Sequence, residues 1–165
     1  MHSRLLTPKR GPALIVRPLR NGDTATVLGV FGRLGQASRR LRFNGPKPCL
    51  PEEELRQLAR MDAGHHALVA WVEGDPQPVA IARLARISRG SAEVAFAVAD
   101  EYQHCGIGAA LAAELVADAR LAGITEITAL TSADNPAALA LLRRIARVVD
   151  VCFDGPELSV RAAIA

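Results

Sequence analysis

The chain has 165 residues, 50% of them hydrophobic, with mean hydropathy +0.15, formal net charge +3 and a pI near 9.1. That length suits one domain with a sizeable core, and no apolar run approaches the ~20 residues of a membrane span, so a soluble, cytoplasmic protein with no membrane partner is expected. Aromatics at 4% and scattered arginines disfavour a nucleic-acid module, while three cysteines without CxxC spacing argue against a disulfide framework or zinc site.

Residues 1–12, MHSRLLTPKRGP, are basic and are followed by no long apolar run, so they read as a flexible tail ahead of one domain over 13–165. Residues 13–19 read as a first strand, stopped at Pro18. Asp23 is placed to cap a helix over 24–34, with Val27, Leu28, Phe31 and Leu34 on one face; Gly29 and Gly32 interrupt it. The stretch GQASRRLRFNGPKPCL at 35–50 is rich in Gly, Pro and Arg and too irregular for a simple connector. Pro51 and three glutamates then open a helix to about residue 60. Strands at 66–72, 78–87 and 93–98, separated by short turns, read as an antiparallel meander.

A helix opening after Gly108 is closed by Gly123, and residues 124–130 alternate as a strand. Asn135-Pro136 begins another helix, with Ala138, Leu139, Leu142 and Ile145 facing inward. Two strands, 147–153 and 158–164, close the chain around Asp154-Gly155-Pro156.

The chemistry concentrates in residues 91–115, SAEVAFAVADEYQHCGIGAALAAEL, which read as strand, glycine-bearing turn and helix. Such a turn leaves backbone N–H groups unpaired at the positive end of a helix, a seat for phosphate or pyrophosphate. Glycines at 106 and 108 let a ligand approach the backbone. A P-loop would need Lys and a hydroxyl residue where Ala109-Ala110 stand, and a dinucleotide fingerprint would need glycine in place of Leu111. Gln103-x-x-Gly106-x-Gly108 instead resembles the (Arg/Gln)-x-x-Gly-x-(Gly/Ala) motif of the GNAT superfamily of acyl-CoA N-acyltransferases.

That resemblance covers the chain from about Ala13 onward and implies an α/β GNAT fold, a mixed sheet of about seven strands flanked by about four helices. A narrower likeness joins Ser38-x-x-x-Arg42-Phe43, Leu50-Pro51-Glu52-Glu53-Glu54-Leu55, Asp62-x-x-x-His66-x-Leu68-Val69-Ala70 and residues 92–100 to the catalytic domain of bacterial protein lysine acetyltransferases. It implies transfer of acetyl from acetyl-CoA to an amine, a protein lysine first and a small-molecule amine second, with no metal. A catalytically silent acyl-CoA-binding module is the rival from another class. Either a monomer or a homodimer is compatible.

Residue by residue, the resemblance places the pyrophosphate on Gln103, His104, Cys105, Gly106, Ile107, Gly108 and Ala109. The pantetheine arm runs along Phe96, Ala97 and Val98, with the Val98 N–H polarising the thioester carbonyl. Glu93, partly buried, would be the general base; the alternative is a strand glutamate paired with Arg83 or Arg86. Asn135 would bond pantetheine or substrate, or simply cap its helix. Where many relatives carry a tyrosine acid this chain has Leu142, and its only tyrosine is Tyr102. Arg143, Arg144 and Arg147 could reach the 3′-phosphate or form a solvated face. Cys105 is not expected to form a covalent intermediate. His65 and His66 have structural or substrate-edge roles, and Ser38, Arg42 and Asp62 line the acceptor site or pack loops. In place of the family's Leu-Gly-Phe helix end the chain runs Arg143-Arg144-Ile145-Ala146-Arg147-Val148, without the glycine cap, which puts the acceptor wall in question.

Overall fold

The computed structural model of the protein describes residues 3–164. In chain order the elements are β1 (Arg4–Leu6), β2 (Leu14–Pro18), α1 (Thr24–Gly32), α2 (Gln36–Phe43), α3 (Glu52–Leu58), β3 (His65–Val72), β4 (Ala80–Arg86), β5 (Ser91–Val98), α4 (Ile107–Leu121), β6 (Glu126–Ser132), α5 (Pro136–Ile145), β7 (Arg147–Asp154) and β8 (Glu157–Ala163). They build one mixed sheet in the order β1-β2-β3-β4-β5-β6-β8-β7. This is the expected α/β architecture, including the β3-β4-β5 antiparallel meander. Among the described residues no helix is long and apolar enough to cross a membrane.

Two elements exceed the expected seven strands and four helices. The stretch read as a tail carries β1, antiparallel to β2. Arg4 anchors it by ion pairs to Glu114 (2.8 Å) and Asp118 (2.6 Å) of α4. The first two residues of that predicted tail lie outside the described residues. The irregular stretch after α1 holds α2, which has no side-chain cap at Gly35 and ends at Asn44 in the left-handed region (φ 54). It is held instead by tertiary contacts: Phe43 packs edge-on against Phe31 of α1, and Arg39 lies over the Phe31 ring.

The sheet separates two apolar layers. On one side α4 and α5 bury Leu111, Leu115, Val116 and Leu142 against Leu68, Leu84, Val94 and Ile127. On the other, α1 and α3 bury Val27, Val30 and Leu55 against Ala67, Val69 and Ile81. Side chains alternate along a strand, so Ala92, Val94, Phe96 and Val98 lie on the α4 face, while Glu93, Ala95 and Ala97 share the opposite face, where Ala97 packs against the α1 and α3 layer.

The break in the sheet positions everything that follows. β5 and β6 pair in parallel over only three residues, Ser91–Glu93 against Glu126–Thr128. β6 then continues antiparallel to β8 over its full length. Beyond Glu93 the two strands part, and the edge of β5 from Val94 to Val98 has no strand beside it.

Candidate functional site

Parity decides which backbone groups of β5 face that opening. The Ser91 carbonyl accepts from Ile87 at 2.9 Å and Ala99 N–H donates to Val79 at 2.7 Å, so odd-numbered residues bond toward β4. The backbone groups of Phe96 and Val98 therefore point to the side that β6 has left. A cleft of about 570 Å³ fills this gap. Phe96, Ala97, Val98, Gln103, His104, Gly106, Gly108, Ala109 and Asn135 all line it.

At its β5 end the cleft meets the glycine turn. His104 (φ 61) and Gly106 (φ 85) both adopt left-handed backbone, turning the chain into α4. No side chain caps Gly106, and the helical ladder begins with Ala110 N–H on the Gly106 carbonyl at 3.0 Å. The N–H groups of Ile107, Gly108 and Ala109 are thus without helical partners, at the positive end of a 15-residue helix. Ile107 is 1% exposed and does not line the cleft, in contrast to its expected place on the pyrophosphate: its side chain is committed to the core under α4. A Cβ on Gly108 would sit 3.4 Å from Val98 Cγ2, and one on Gly106 would sit 3.1 Å from the Arg10 carbonyl. Gly106 is therefore needed for its left-handed backbone and close packing, while a Cβ at Gly108 would make only ordinary contact with the protein and would occupy the ligand side of the turn. The Cys105 thiol donates to the Tyr102 carbonyl at 2.7 Å and does not line the cleft.

The polar side chains around the turn have protein partners. Gln103 Nε2 donates to the Val98 carbonyl (3.0 Å), Ser38 Oγ (3.1 Å) and Asp100 Oδ1 (3.3 Å), tying α2 and β5 to the loop. Asn135 caps α5, accepting from Ala138 N–H at 3.2 Å while its amide donates to Thr131 Oγ1 at 3.1 Å. Tyr102 donates to Asp75 Oδ2 at 2.9 Å, and that carboxylate pushes its pKa up. Arg33 lies over its ring. Leu142, 2% exposed, is part of the cleft wall.

Glu93 does not line the cleft. It sits at the last position of the β5–β6 pairing, on the strand face that carries the lining residues Ala95 and Ala97. It is exposed, in contrast to the expected partial burial. Among the described residues it forms no ion pair: Arg86 donates to the carbonyls of Arg89 and Ala122, and Arg83 reaches only the Gln57 carbonyl at 3.4 Å. Arg42, from α2, faces the same region and lines the cleft. Burial and the nearby Arg83 lower its pKa to about 10, against the opposing influence of Glu93 and Glu54.

His65 pairs with Asp62 (2.8 Å) and His66 with Asp118 (2.9 Å), which gives both histidines structural partners. Arg144 lines the cleft; Arg143 and Arg147 are exposed. At the altered helix end, Ala146 is extended and β7 begins at once, at the edge of the sheet. Sequence reading missed the β6 wall of the cleft, Ala129, Leu130 and Thr131. These residues read as ordinary alternation, and only the loss of pairing with β5 turns them into a site.

The profile of the Acetyltransferase (GNAT) family matches residues 36–146. Acetyltransferase PA5475 of Pseudomonas aeruginosa is 32% identical over 133 residues, 77% of this chain and 70% of that protein. Acetyltransferase Pat of Mycolicibacterium smegmatis is 31% identical over 144 residues, 85% of this chain but only 43% of the longer relative. Among solved structures, the GNAT domain of S. lividans PAT superposes with TM-score 0.86 at 22% identity, covering 98% of this chain and 96% of that one. The spermidine N-acetyltransferase from Vibrio cholerae, solved with CoA and spermine, gives 0.66 at 18% identity over 91% of this chain and 94% of its own. At such identities the structural likeness speaks for the fold.

Proposed function

This chain belongs to the Acetyltransferase (GNAT) family and is an acetyl-CoA-dependent N-acetyltransferase; from that premise we propose that its acceptor is a protein lysine ε-amine and that Glu93 is the general base. The observation that carries this reading is the order of parts along β5: an acid where pairing ends, an unpaired backbone edge, then the glycine turn.

Acetyl-CoA would lie with its pyrophosphate on the glycine turn, at the N–H groups of Gly108 and Ala109, and its pantetheine against the free edge of β5. A neutral lysine amine attacks the thioester carbonyl, the C–S bond breaks, and CoA leaves as thiolate. The amine proton passes to Glu93, directly or through one water. A strand rises ~3.3 Å per residue, so Phe96 lies roughly 10 Å along β5 from Glu93 and Val98 roughly 17 Å. We therefore assign the N–H on the developing oxyanion to Phe96 and that of Val98 to the pantetheine arm. The thiolate would take its proton from water or from the incoming ammonium, since Leu142 cannot supply one and the Tyr102 hydroxyl is committed to Asp75.

The resemblance of Ser38-x-x-x-Arg42-Phe43, residues 50–55, 62–70 and 92–100 to the catalytic domain of bacterial protein lysine acetyltransferases supports a lysine acceptor. The basic charge disfavours a polycationic one. Leu142 in place of a tyrosine acid favours the rival reading, a silent acyl-CoA-binding module. Thiol release from acetyl-CoA, measured with an acyl-CoA synthetase, other proteins, polyamines and amino acids as acceptors, decides between them. Release with a protein and a mass gain on one lysine supports the proposal. Release with small amines alone moves the acceptor class, and tight CoA binding without release leaves the silent module.

A further inference from the structure

The sheet face beside Glu93 carries more positive charge than its local partners neutralise. Arg83 lies opposite Ala95 in the β4–β5 register, next to Glu93 on the same face. Arg83 is half-buried, its Nε is buried without a hydrogen-bond partner, and burial lowers its pKa against the opposing pull of Glu93. Arg42 comes down on this face from α2, half-buried with its guanidinium over the Phe43 ring at 4.7 Å. Among the described residues neither arginine forms an ion pair. The other carboxylate within electrostatic reach, Glu54, is held by Lys47 at 2.5 Å.

A buried Arg83 Nε without a partner, beside a half-buried Arg42 whose charge Arg83 disfavours, is a costly arrangement in the free protein. An anion bound between them would relieve the repulsion and satisfy the orphaned N–H. Guanidinium is a flat fork of donors that matches a carboxylate. With Glu93 ionised, Arg42, Arg83 and Glu93 together carry one net positive charge. An amine in its reactive neutral form that bears one carboxylate carries one negative charge and complements them.

We propose that Arg42 and Arg83 form a carboxylate-binding pair in the acceptor site, so that the preferred acceptor is an amine with a carboxylate close to it. The carboxylate would come either from an Asp or Glu flanking the target lysine in a protein or from a free amino acid. This rests on the reading of Glu93 as the base, because the pair is useful only if the amine is delivered there.

The test compares acceptor kcat/KM for three lysine peptides that differ only in flanking residues, Glu, Gln or Lys, and for free lysine against its carboxamide. The wild-type protein is expected to prefer the Glu-flanked peptide over the Gln-flanked one by about tenfold or more, with the Lys-flanked peptide poorest. A preference confined to free lysine over its carboxamide would assign the pair to an amino-acid acceptor. Arg83→Gln and Arg42→Gln should each bring the Glu-to-Gln ratio toward one, and Arg83→Lys should retain part of it. Melting temperatures and acetyl-CoA KM report whether each variant keeps its fold and cleft. If Arg42→Gln does not fold, Arg83→Gln carries the test. Equal wild-type rates on the acidic and neutral acceptors, or an unchanged ratio in Arg83→Gln, would overturn the inference while leaving Glu93 as base intact. No acetylation of any acceptor would remove both.

Discussion

Gln103 donates its side-chain amide to the Val98 carbonyl at 3.0 Å, so the glycine turn is latched to the last residue of the free β5 edge. The same nitrogen reaches Ser38 Oγ and Asp100 Oδ1, at 3.1 and 3.3 Å, which makes it a fastener for loop, strand and α2 together. Gln103→Leu removes these bonds and leaves the Val98 carbonyl at the cleft without that donor. A neutral hydrogen bond is worth about 1 kcal/mol, so the KM for acetyl-CoA should rise about fivefold or more, with kcat changed less. Steady-state kinetics at saturating acceptor check this; an unchanged KM would show that the latch has no bearing on the cofactor.

Glu93→Gln keeps the shape of the side chain and removes its basicity. General-base catalysis contributes about 10² or more in rate, so kcat should fall by at least about a hundredfold while CoA affinity measured by calorimetry stays within about twofold. A lysine amine titrates near 10.4, so the variant must wait for the small neutral fraction and its rate should climb about tenfold per pH unit between about pH 7 and 9. The wild-type profile should be less steep. Wild-type turnover in the variant at pH 7 would sink the assignment.

Gly106 combines two demands, a φ of 85 and an added Cβ only 3.1 Å from the Arg10 carbonyl. Gly22 shares the first demand, with φ 80, but an added Cβ there meets nothing within 4 Å. Alanine at either position should cost about 1–2 kcal/mol from the left-handed backbone, a drop of a few degrees in Tm. Gly106→Ala should cost more and weaken CoA binding about tenfold or more, as the displaced turn misaims its N–H groups. Gly22→Ala should leave CoA binding alone. Thermal melts with and without CoA separate the two contributions.

The strand–turn–helix of the site was legible because its signals are local: alternation in 93–98, glycines at 106 and 108, a cap at Asn135. The elements that were missed depend on distant partners. β1 has three residues and no pattern of its own; it exists because Arg4 finds Glu114 and Asp118 more than a hundred positions away. α2 has no cap residue, and its ring and guanidinium contacts with Phe31 fall on another helix. The exposure of Glu93 was not legible for a related reason: alternation tells which face a strand residue takes but not how deeply that position is buried. The splay of β5 from β6 is likewise a property of pairing, and no residue in either strand announces it.

Asp75 gives the fold a specific acid limit. It accepts from Arg33 Nη2 at 2.8 Å, Gln77 N–H at 3.0 Å and Tyr102 OH at 2.9 Å, and these bonds, that from Arg33 foremost, hold its carboxyl down from 3.8 to about 2. A carboxyl depressed in the folded state binds its proton more readily when unfolded. Its stabilisation is therefore complete above its unfolded value of 3.8 and is lost as pH falls toward about 2. Melting midpoints of the wild type should accordingly drop across that window. Asp75→Asn cannot form the ion pair at any pH, so it should start lower at pH 5 and converge on the wild type by about pH 2. A gap between the two proteins that stayed constant over the whole titration would show that Asp75 is not the group responsible. Because Tyr102 leads into Gln103, the same acid step should loosen the glycine turn, and CoA affinity should fall with the same midpoint as the melting curve.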